Sequence, residues 1–329
     1  MRFLVFILSI FLYGCNSSSE LPNNYSPPNK LLYIEDLDGK DGLYSGRFGD
    51  IVVYDPILHI KYVVTDDKYF NMYPCWADRG KSIIFESKRL GKISLLGLSL
   101  ESHIFKYNLQ SKEIFQIDKG FEKEFKPYVS QDNSIPVLNK DGDKMVFASS
   151  DSLGHDNLIL YDFESNTIKL LKRRIQKLTN IVWDDKRDIL AYCCKIIKGF
   201  NRKEKAIVIN NLRTDSTIVI GKENWRYNIG VIKGDTLLFT GYEMKFNSKE
   251  KLYIFDLRRK VEKLIYESKE SFLTFSNPVF KTNSEIYFIE VNSKDDRGLK
   301  YDIVLLNLKN NMIQKITNDG KDKASLSLF

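Results

Sequence analysis

A short segment that recurs six times constrains the fold of this chain more than any other feature of the sequence. Each copy is an apolar run that ends in Asp or Asn, as in residues 158–162, where Leu-Ile-Leu-Tyr precedes Asp162. The terminal residues of the copies are Asp55, Asn108, Asp162, Asn211, Asp256 and Asn307, which lie 45 to 54 residues apart. Asp and Asn cap tight turns by accepting hydrogen bonds from nearby backbone N–H groups. Each copy therefore predicts a strand followed at once by a turn.

A hairpin precedes the segment in most of the repeats. The clearest one covers residues 136–148, where two apolar runs flank a polar turn ending in Asp141 and Gly142. Glycine supplies the positive φ that hairpin turns need. Similar hairpins are predicted at 73–86, 180–192, 228–239 and 277–289, and fourth strands at 60–64, 113–117, 168–171, 217–220, 263–266 and 312–316. Four antiparallel strands per unit of roughly fifty residues are typical of a β-propeller.

The two ends of the repeat region predict how the ring closes. The first unit starts at residues 31–35, which already correspond to a second strand, and residues 324–329 form a first strand with no unit after them. Placing the last strand inside the first blade removes an exposed edge. The sequence thus predicts an all-β, six-bladed β-propeller of four-stranded antiparallel blades, closed by the C-terminal strand.

The composition favours an all-β fold and gives no evidence for a nucleic-acid partner. The chain has 21 Phe and 18 Tyr residues against five Met, and aromatic residues favour strands. The formal charge of +7 is spread along the sequence, with Lys172, Arg173 and Arg174 as the one dense block. A diffuse excess of this kind indicates a solvated surface, so we predict no nucleic-acid partner.

The repeat resembles that of TolB-type propellers. The resemblance rests on the hairpins with Trp or Phe, on the Asp-Gly turn, and on residues 315–320, Lys-Ile-Thr-Asn-Asp-Gly, which close the last unit. It covers nearly all of residues 31–329 and extends to the propellers of prolyl oligopeptidase-like enzymes. The resemblance implies the fold but not the function, since propellers host many activities. We expect neither the additional α/β domain of TolB nor a hydrolase domain here.

The N-terminal residues have the features of an export signal. Met1 and Arg2 precede an apolar run over residues 3–13, which is too short to span a bilayer roughly 30 Å thick. The ending Leu-Tyr-Gly-Cys at residues 12–15 resembles a lipobox, which implies lipidation of Cys15; an ordinary cleaved signal is the alternative. We predict a lipoprotein signal peptide at 1–14, a polar, Pro-containing tether at 15–30 and the propeller at 31–329.

No motif for catalysis or for a metal centre is present. The sequence contains only His59, His103 and His155, and it lacks the glycine-flanked serine and zinc-helix motifs of common hydrolases. The Asp-rich segment at 36–42 does not have the ligand spacing of an EF-hand. Cys75, Cys193 and Cys194 are interpreted as buried free thiols, with a disulfide of Cys75 as the alternative. We predict no cofactor and no bound metal, and an enzyme is the less favoured reading.

A ligand site is predicted at one mouth of the propeller channel. The loops between second and third strands and the links between blades carry arginines and aromatic residues, which suit peptide, carboxylate or sugar recognition. The candidate ligand-binding residues are Arg47, Tyr69, Arg89, Arg202, Trp225, Tyr227 and Arg297. The alternative is that these loops are simply solvated and that their aromatic residues pack between blades.

These observations favour a binding protein. We predict a monomeric propeller scaffold for a protein or peptide partner in the bacterial cell envelope, anchored through Cys15 to the inner or the outer membrane. The alternative is a carbohydrate-binding protein or an enzyme that uses the channel mouth.

Overall fold

Strands make up nearly all the regular structure in the computed structural model, which describes residues 29–36, 49–67, 69–90, 101–198, 202–245, 248–268, 277–295, 298–319, 321 and 323–328. Within these ranges, no helix has the length and apolar character needed to cross a membrane. The strands are β1 (Leu31–Glu35), β2 (Asp50–Asp55), β3 (Ile60–Val63), β4 (Asn71–Ala77), β5 (Ser82–Ser87), β6 (His103–Asn108), β7 (Ile114–Gln116), β8 (Asp132–Leu138), β9 (Lys144–Ser150), β10 (His155–Asp162), β11 (Thr167–Gln176), β12 (Asn180–Asp184), β13 (Ile189–Lys198), β14 (Arg202–Asn211), β15 (Ser216–Ile220), β16 (Trp225–Lys233), β17 (Thr236–Glu243), β18 (Lys251–Asp256), β19 (Val261–Glu267), β20 (Val279–Phe280), β21 (Glu285–Asp295), β22 (Gly298–Asn307), β23 (Met312–Lys315) and β24 (Lys323–Leu328). One short helix, α1 (Phe121–Glu124), precedes β8.

These strands form six antiparallel sheets of four strands each, which confirms the predicted six-bladed propeller. The first blade has the order β24-β1-β2-β3, and blades two to six use β4–β7, β8–β11, β12–β15, β16–β19 and β20–β23. We call the end that carries the loops between first and second strands the hairpin face. The opposite end, which carries the links between blades, is the link face.

The recurring Asp or Asn closes a turn in all six blades, as predicted. The Oδ1 atom of Asp55 accepts hydrogen bonds from the backbone N–H of Ile57 at 2.9 Å and of Leu58 at 3.0 Å. The equivalent side chains in the other blades accept the same kind of bond: Asn108, Asp162, Asn211, Asp256 and Asn307. The repeated residue therefore fixes the turn between third and fourth strands.

Neighbouring blades pack face to face, so the middle strands are buried on both sides. In the first blade, Leu32 and Ile34 lie in one cluster with Phe85 of blade two, whereas Leu31 and Tyr33 lie in another with residues of blade six. All four are fully buried. Alternate residues of one strand thus pack into two different hydrophobic cores. This explains why the strands are continuous apolar runs in the sequence.

The closing strand β24 is held by hydrogen bonds and by buried charges. It pairs with β1 from Leu328 opposite Leu31 to Lys323 opposite Glu35, which confirms the predicted closure. Lys61 Nζ lies 2.8 Å from Glu35 and 2.5 Å from Asp319, and the fully buried Lys323 bonds the same Asp319. Burial would raise the pKa of Asp319, but the ammonium groups of Lys323 and Lys61 lower it to about 2. These ionised groups join the first blade, the last link and the closing strand.

Candidate functional site

The central channel contains a cavity of about 690 Å³. Its walls come from the innermost strands of the blades, with Trp76, Val137, Trp183, Val231 and Leu326 among the apolar contributors. It extends to the hairpin face, where Arg79, Lys140 and Asp141 add charge. A cavity of this size and mixed character fits a segment of peptide or a small ligand.

Each innermost strand offers one unpaired edge. The strands β4, β8, β12, β16, β20 and β24 each pair with a single neighbour, so their second edge has no partner strand in the described sheets. Such an edge presents backbone N–H and C=O groups that an extended peptide can bond. The channel is therefore bordered by backbone donors and acceptors as well as by side chains.

Bulges interrupt several of these inner strands at the same position. The pairing register shifts between Met72 and Cys75 in β4 and between Ser134 and Val137 in β8. Tyr73, Ile135 and Ser325 have φ values of 49°, 53° and 54°. A β-branched residue such as Ile135 rarely adopts positive φ, which costs about 1–3 kcal/mol. Such strain persists only when the surrounding structure maintains it.

A buried carboxylate of the preceding blade holds one of these bulges. The N–H of Ile135 donates to Glu86 Oε2 at 3.1 Å, and the Ser102 hydroxyl donates to Glu86 Oε1 at 2.7 Å. Burial raises the pKa of Glu86, and these donors partly offset that effect. Glu86 thus positions the cavity wall contributed by blade three.

A belt of asparagine side chains connects three blades at the link-face end of the cavity. Asn180 Nδ2 donates to Asn228 Oδ1 at 2.6 Å and to the carbonyl of Ile229 at 2.7 Å, and Asn228 Nδ2 donates to Asn277 Oδ1 at 3.0 Å. Both Asn180 and Asn277 line the cavity. Asparagine begins the inner hairpins of blades four, five and six in the sequence, and this recurrence was the signal that could have identified the belt.

Tyr73 also lies at the link-face end of the cavity. Its hydroxyl donates to the carbonyl of Thr179, 3.0 Å away in the link between blades three and four. Tyr73 therefore extends from blade two past the inner strand of blade three. Sequence reasoning missed this residue, because Tyr73 and Thr179 are brought together only by the packing of three blades.

Two of the predicted ligand-binding residues, Tyr69 and Arg89, contact each other. The Arg89 guanidinium lies 5.2 Å from the Tyr69 ring centre and 4.9 Å from that of Phe105. It also forms an ion pair with Asp67 at 2.9 Å and a hydrogen bond to Asn71 at 3.2 Å. Most of the bonding capacity of Arg89 is therefore used within the protein.

The predicted pair Trp225 and Tyr227 is stacked, with ring centres 6.0 Å apart. Tyr227 is 6% exposed and belongs to the core between blades four and five. The ammonium groups of Lys222 and Lys251 lie 5.1 and 5.9 Å from the Trp225 ring. The described contacts of Tyr227 are packing contacts, and Trp225 covers that core at its link-face end.

The predicted residues do not come together as one site around the cavity. Tyr69, Arg89, Trp225 and Tyr227 are absent from the lining of the cavity. Arg202 begins β14, and Arg47, Arg297 and Cys15 lie outside the described residues. Within the described ranges, no group of three or more His, Cys, Asp or Glu side chains is arranged to hold a metal ion, and Cys75, Cys193 and Cys194 are free thiols.

The fold is that of a TolB-like six-bladed β-propeller. A TolB structure from Acinetobacter baumannii superposes with a TM-score of 0.63 at 11% identity, over 91% of this chain and 66% of that one. A protein assigned as TolB from Agrobacterium tumefaciens gives 0.56 at 12% identity, over 92% and 98% of the two chains. An acylaminoacyl peptidase from Pyrococcus horikoshii gives 0.50 at 11% identity, over 76% of this chain and 40% of that one.

These similarities concern the fold alone. This chain spans about two thirds of the A. baumannii TolB. No protein-family model matches the sequence, and no curated protein matches it significantly.

Proposed function

We propose that this chain is a propeller scaffold that binds a peptide segment of a protein partner in the bacterial cell envelope. The observation that carries the proposal is the channel cavity, which combines apolar side chains with the unpaired edges of the inner strands. An extended segment can bond these edges through its backbone and place side chains against the apolar walls. The fold shared with TolB structures supports a binding role without identifying the partner.

Trp183 provides an aromatic surface for such a segment. It lines the cavity and is only partly buried, and it packs against the core that contains Ile181 and Leu190. Large aromatic side chains are common anchors of binding sites, because they contribute a large apolar contact area. Trp183 is therefore proposed as a direct contact of the bound segment.

Membrane attachment is the second part of the proposal. The basic residue, the apolar run and the Leu-Tyr-Gly-Cys ending of residues 1–15 support lipidation of Cys15, and the polar residues that follow support a tether. Under this proposal the propeller is anchored at an envelope membrane, where partners are envelope proteins.

Site-specific photocrosslinking in cells tests the cavity. A benzoylphenylalanine in place of Val182, which lines the cavity, should give a discrete crosslinked species. The same group in place of Val219, which is 52% exposed on the outermost strand of the same blade, should not. Ser327→Trp, which fills the cavity from β24, should abolish the Val182 crosslink.

The Trp183→Ala variant refines this test because it removes the aromatic surface from the cavity wall. We expect it to reduce the Val182 crosslink, whereas Trp225→Ala, which removes a partly buried ring outside the cavity lining, should leave the crosslink unchanged. A crosslink that persists in the Ser327→Trp protein would contradict the proposal. Quenching of tryptophan fluorescence by oligosaccharides that is lost in the Trp183→Ala protein, without a protein crosslink, would favour the carbohydrate-binding alternative.

A further inference from the structure

Four cations lie together on the link face at blades four and five, and we call them the blade-four cation cluster: Lys177, Lys195, Lys205 and Arg226. Lys195 of β13 is directly opposite Lys205 of β14 in the strand register. Cys193 and Ile207, the next residues on that face, belong to the core between blades four and five. The two lysines therefore continue the same face, above this core and toward blade five.

The other two members of the cluster, Lys177 and Arg226, lie on neighbouring segments of the chain. Lys177 is in the link before β12, and the bond from Thr179 N–H to the Cys193 carbonyl, 3.0 Å long, holds this link against β13. Arg226 is the second residue of β16. The cluster thus lies beside Asn180 and Asn228, at the link-face end of the cavity.

Three members of the cluster have no carboxylate partner in the described part of the chain. Arg226 donates only to neutral atoms, Met244 Sδ at 3.2 Å and Tyr242 Oη at 3.5 Å, and neither Lys177 nor Lys205 forms an ion pair there. Asp156, which contacts the same link, accepts the Leu178 N–H at 2.8 Å and the Ser150 hydroxyl at 2.5 Å. Burial lowers the pKa of Lys205, and the charges of Arg226 and Lys177 lower it further.

This arrangement is unfavourable in the free protein. The half-buried ammonium group of Lys205 loses hydration without gaining a carboxylate partner among the described residues, and the like charges of Arg226 and Lys177 lie near it. Several other cations of the molecule are paired, as in Lys61 with Glu35 and Lys222 with Glu262. An anion that reached the cluster would gain charge-assisted hydrogen bonds and remove the repulsion.

We propose that the blade-four cation cluster binds carboxylate side chains of an acidic peptide segment. The proposal rests on the proposed function and adds to it: the partner segment carries Asp or Glu next to the part that enters the cavity. Lys195 and Lys205 are half-buried between two blades, where a single carboxylate fits better than the broad anionic surface of a membrane.

Binding of a fluorescein-labelled oligoglutamate to the detergent-solubilised full chain provides the test, with an oligoglutamine of equal length as the neutral control. Fluorescence anisotropy is measured at low ionic strength and at physiological salt. We expect Lys205→Gln combined with Arg226→Gln to weaken oligoglutamate binding about tenfold or more, as for other specific charge pairs.

A matched control separates this site from the general positive charge. Lys169→Gln combined with Lys263→Gln also removes two positive charges, from exposed residues of outermost strands that form no ion pair within the described residues. We expect this variant to change binding by less than about twofold. The Lys205→Gln and Arg226→Gln protein should melt no lower than the parent, because the substitutions remove repulsion.

Equal losses of binding in the two double variants, or no loss in either, would overturn the proposal. It would also be overturned if the cluster variant lost binding to vesicles of phosphatidylglycerol and phosphatidylcholine but kept oligoglutamate binding. The Val182 crosslink distinguishes a failure of the peptide-binding function from a failure of the acidic specificity alone. If that crosslink forms while oligoglutamate binding does not depend on the cluster, the peptide-binding function stands and only the acidic specificity fails.

Discussion

Single residues set how closely the blades approach one another around the channel. Gly230 of β16 is the clearest case, because a Cβ atom at this position would lie 1.9 Å from the carbonyl oxygen of Pro278 at the start of blade six. Real Cβ atoms do not approach backbone oxygen so closely. The absence of a side chain at Gly230 therefore allows the contact between blades five and six, next to the Asn228–Asn277 bond.

We predict that Gly230→Ala destabilises the protein by about 2–4 kcal/mol, because the blades must separate to accept the methyl group. Thermal unfolding followed by circular dichroism measures the effect. Gly221→Ala is the matched control, since its Cβ would meet only Ala206, whose Cβ and Cα atoms would be 3.2 and 3.9 Å away. Equal melting temperatures for the two variants would show that the close approach to Pro278 is not maintained in solution.

Among the strands, β24 contributes at once to ring closure, to the buried ion pairs and to the cavity wall. It supplies the innermost strand of the first blade from the opposite end of the chain, and it contributes Ser325, Leu326 and Ser327 to the cavity wall. Its first residue, Lys323, is buried beside Asp319. Closure, the ion network and the cavity therefore depend on the same short segment.

Deleting residues 321–329 should expose the edge of β1 and leave the Glu35 and Asp319 carboxylates without Lys323 and Lys321. We expect a loss of at least about 3 kcal/mol in unfolding free energy, together with aggregation through the exposed edge. Chemical denaturation and light scattering measure these two effects. Removing only Phe329, which follows the last residue of β24, is the control and should change neither; an unaltered melting curve for the longer deletion would refute closure by β24.

At the scale of the whole molecule, the propeller has two ends with different properties. The link face carries the asparagine belt and the blade-four cation cluster. The hairpin face carries Arg79 and Lys140, which line the cavity at that end. A tether at residues 15–30 would end next to β1, whose first residue, Leu31, is opposite Leu328 at the hairpin-face end of the first blade. The described chain therefore enters the propeller at the hairpin-face end, opposite the link face.

We predict that Cys15→Ser transfers the protein from the membrane fraction to the soluble envelope fraction, since burial of each acyl CH₂ contributes about 0.8 kcal/mol to membrane binding. Fractionation and metabolic labelling with a radioactive fatty acid measure this. Ser19→Ala, four residues further along, is the control and should remain membrane-bound and labelled. Retention of the Cys15→Ser protein in membranes at the parental level would exclude lipidation as the anchor.

The repeat architecture could be read from the sequence because its signals are local. Each apolar run, each turn closed by Asp or Asn and each hairpin glycine acts within a few residues, so the period revealed six blades of four strands. Closure by the C-terminal strand followed from counting: the first unit lacked an inner strand, and the last residues supplied one. Gly142, with φ of 77°, occupies the turn position that the sequence indicated.

The site could not be read in the same way, because it depends on distances between residues of different blades. Tyr73 and Thr179, Asn180 and Asn228, and Gly230 and Pro278 become neighbours only through the angle and spacing at which whole blades pack. The sequence by itself determined the strands, the turns and the order of the blades, since these follow from alternation and backbone capping. Only the tertiary structure decided which side chains border the cavity, which arginines and aromatic residues are already engaged, and that Lys177, Lys205 and Arg226 have no carboxylate partner among the described residues.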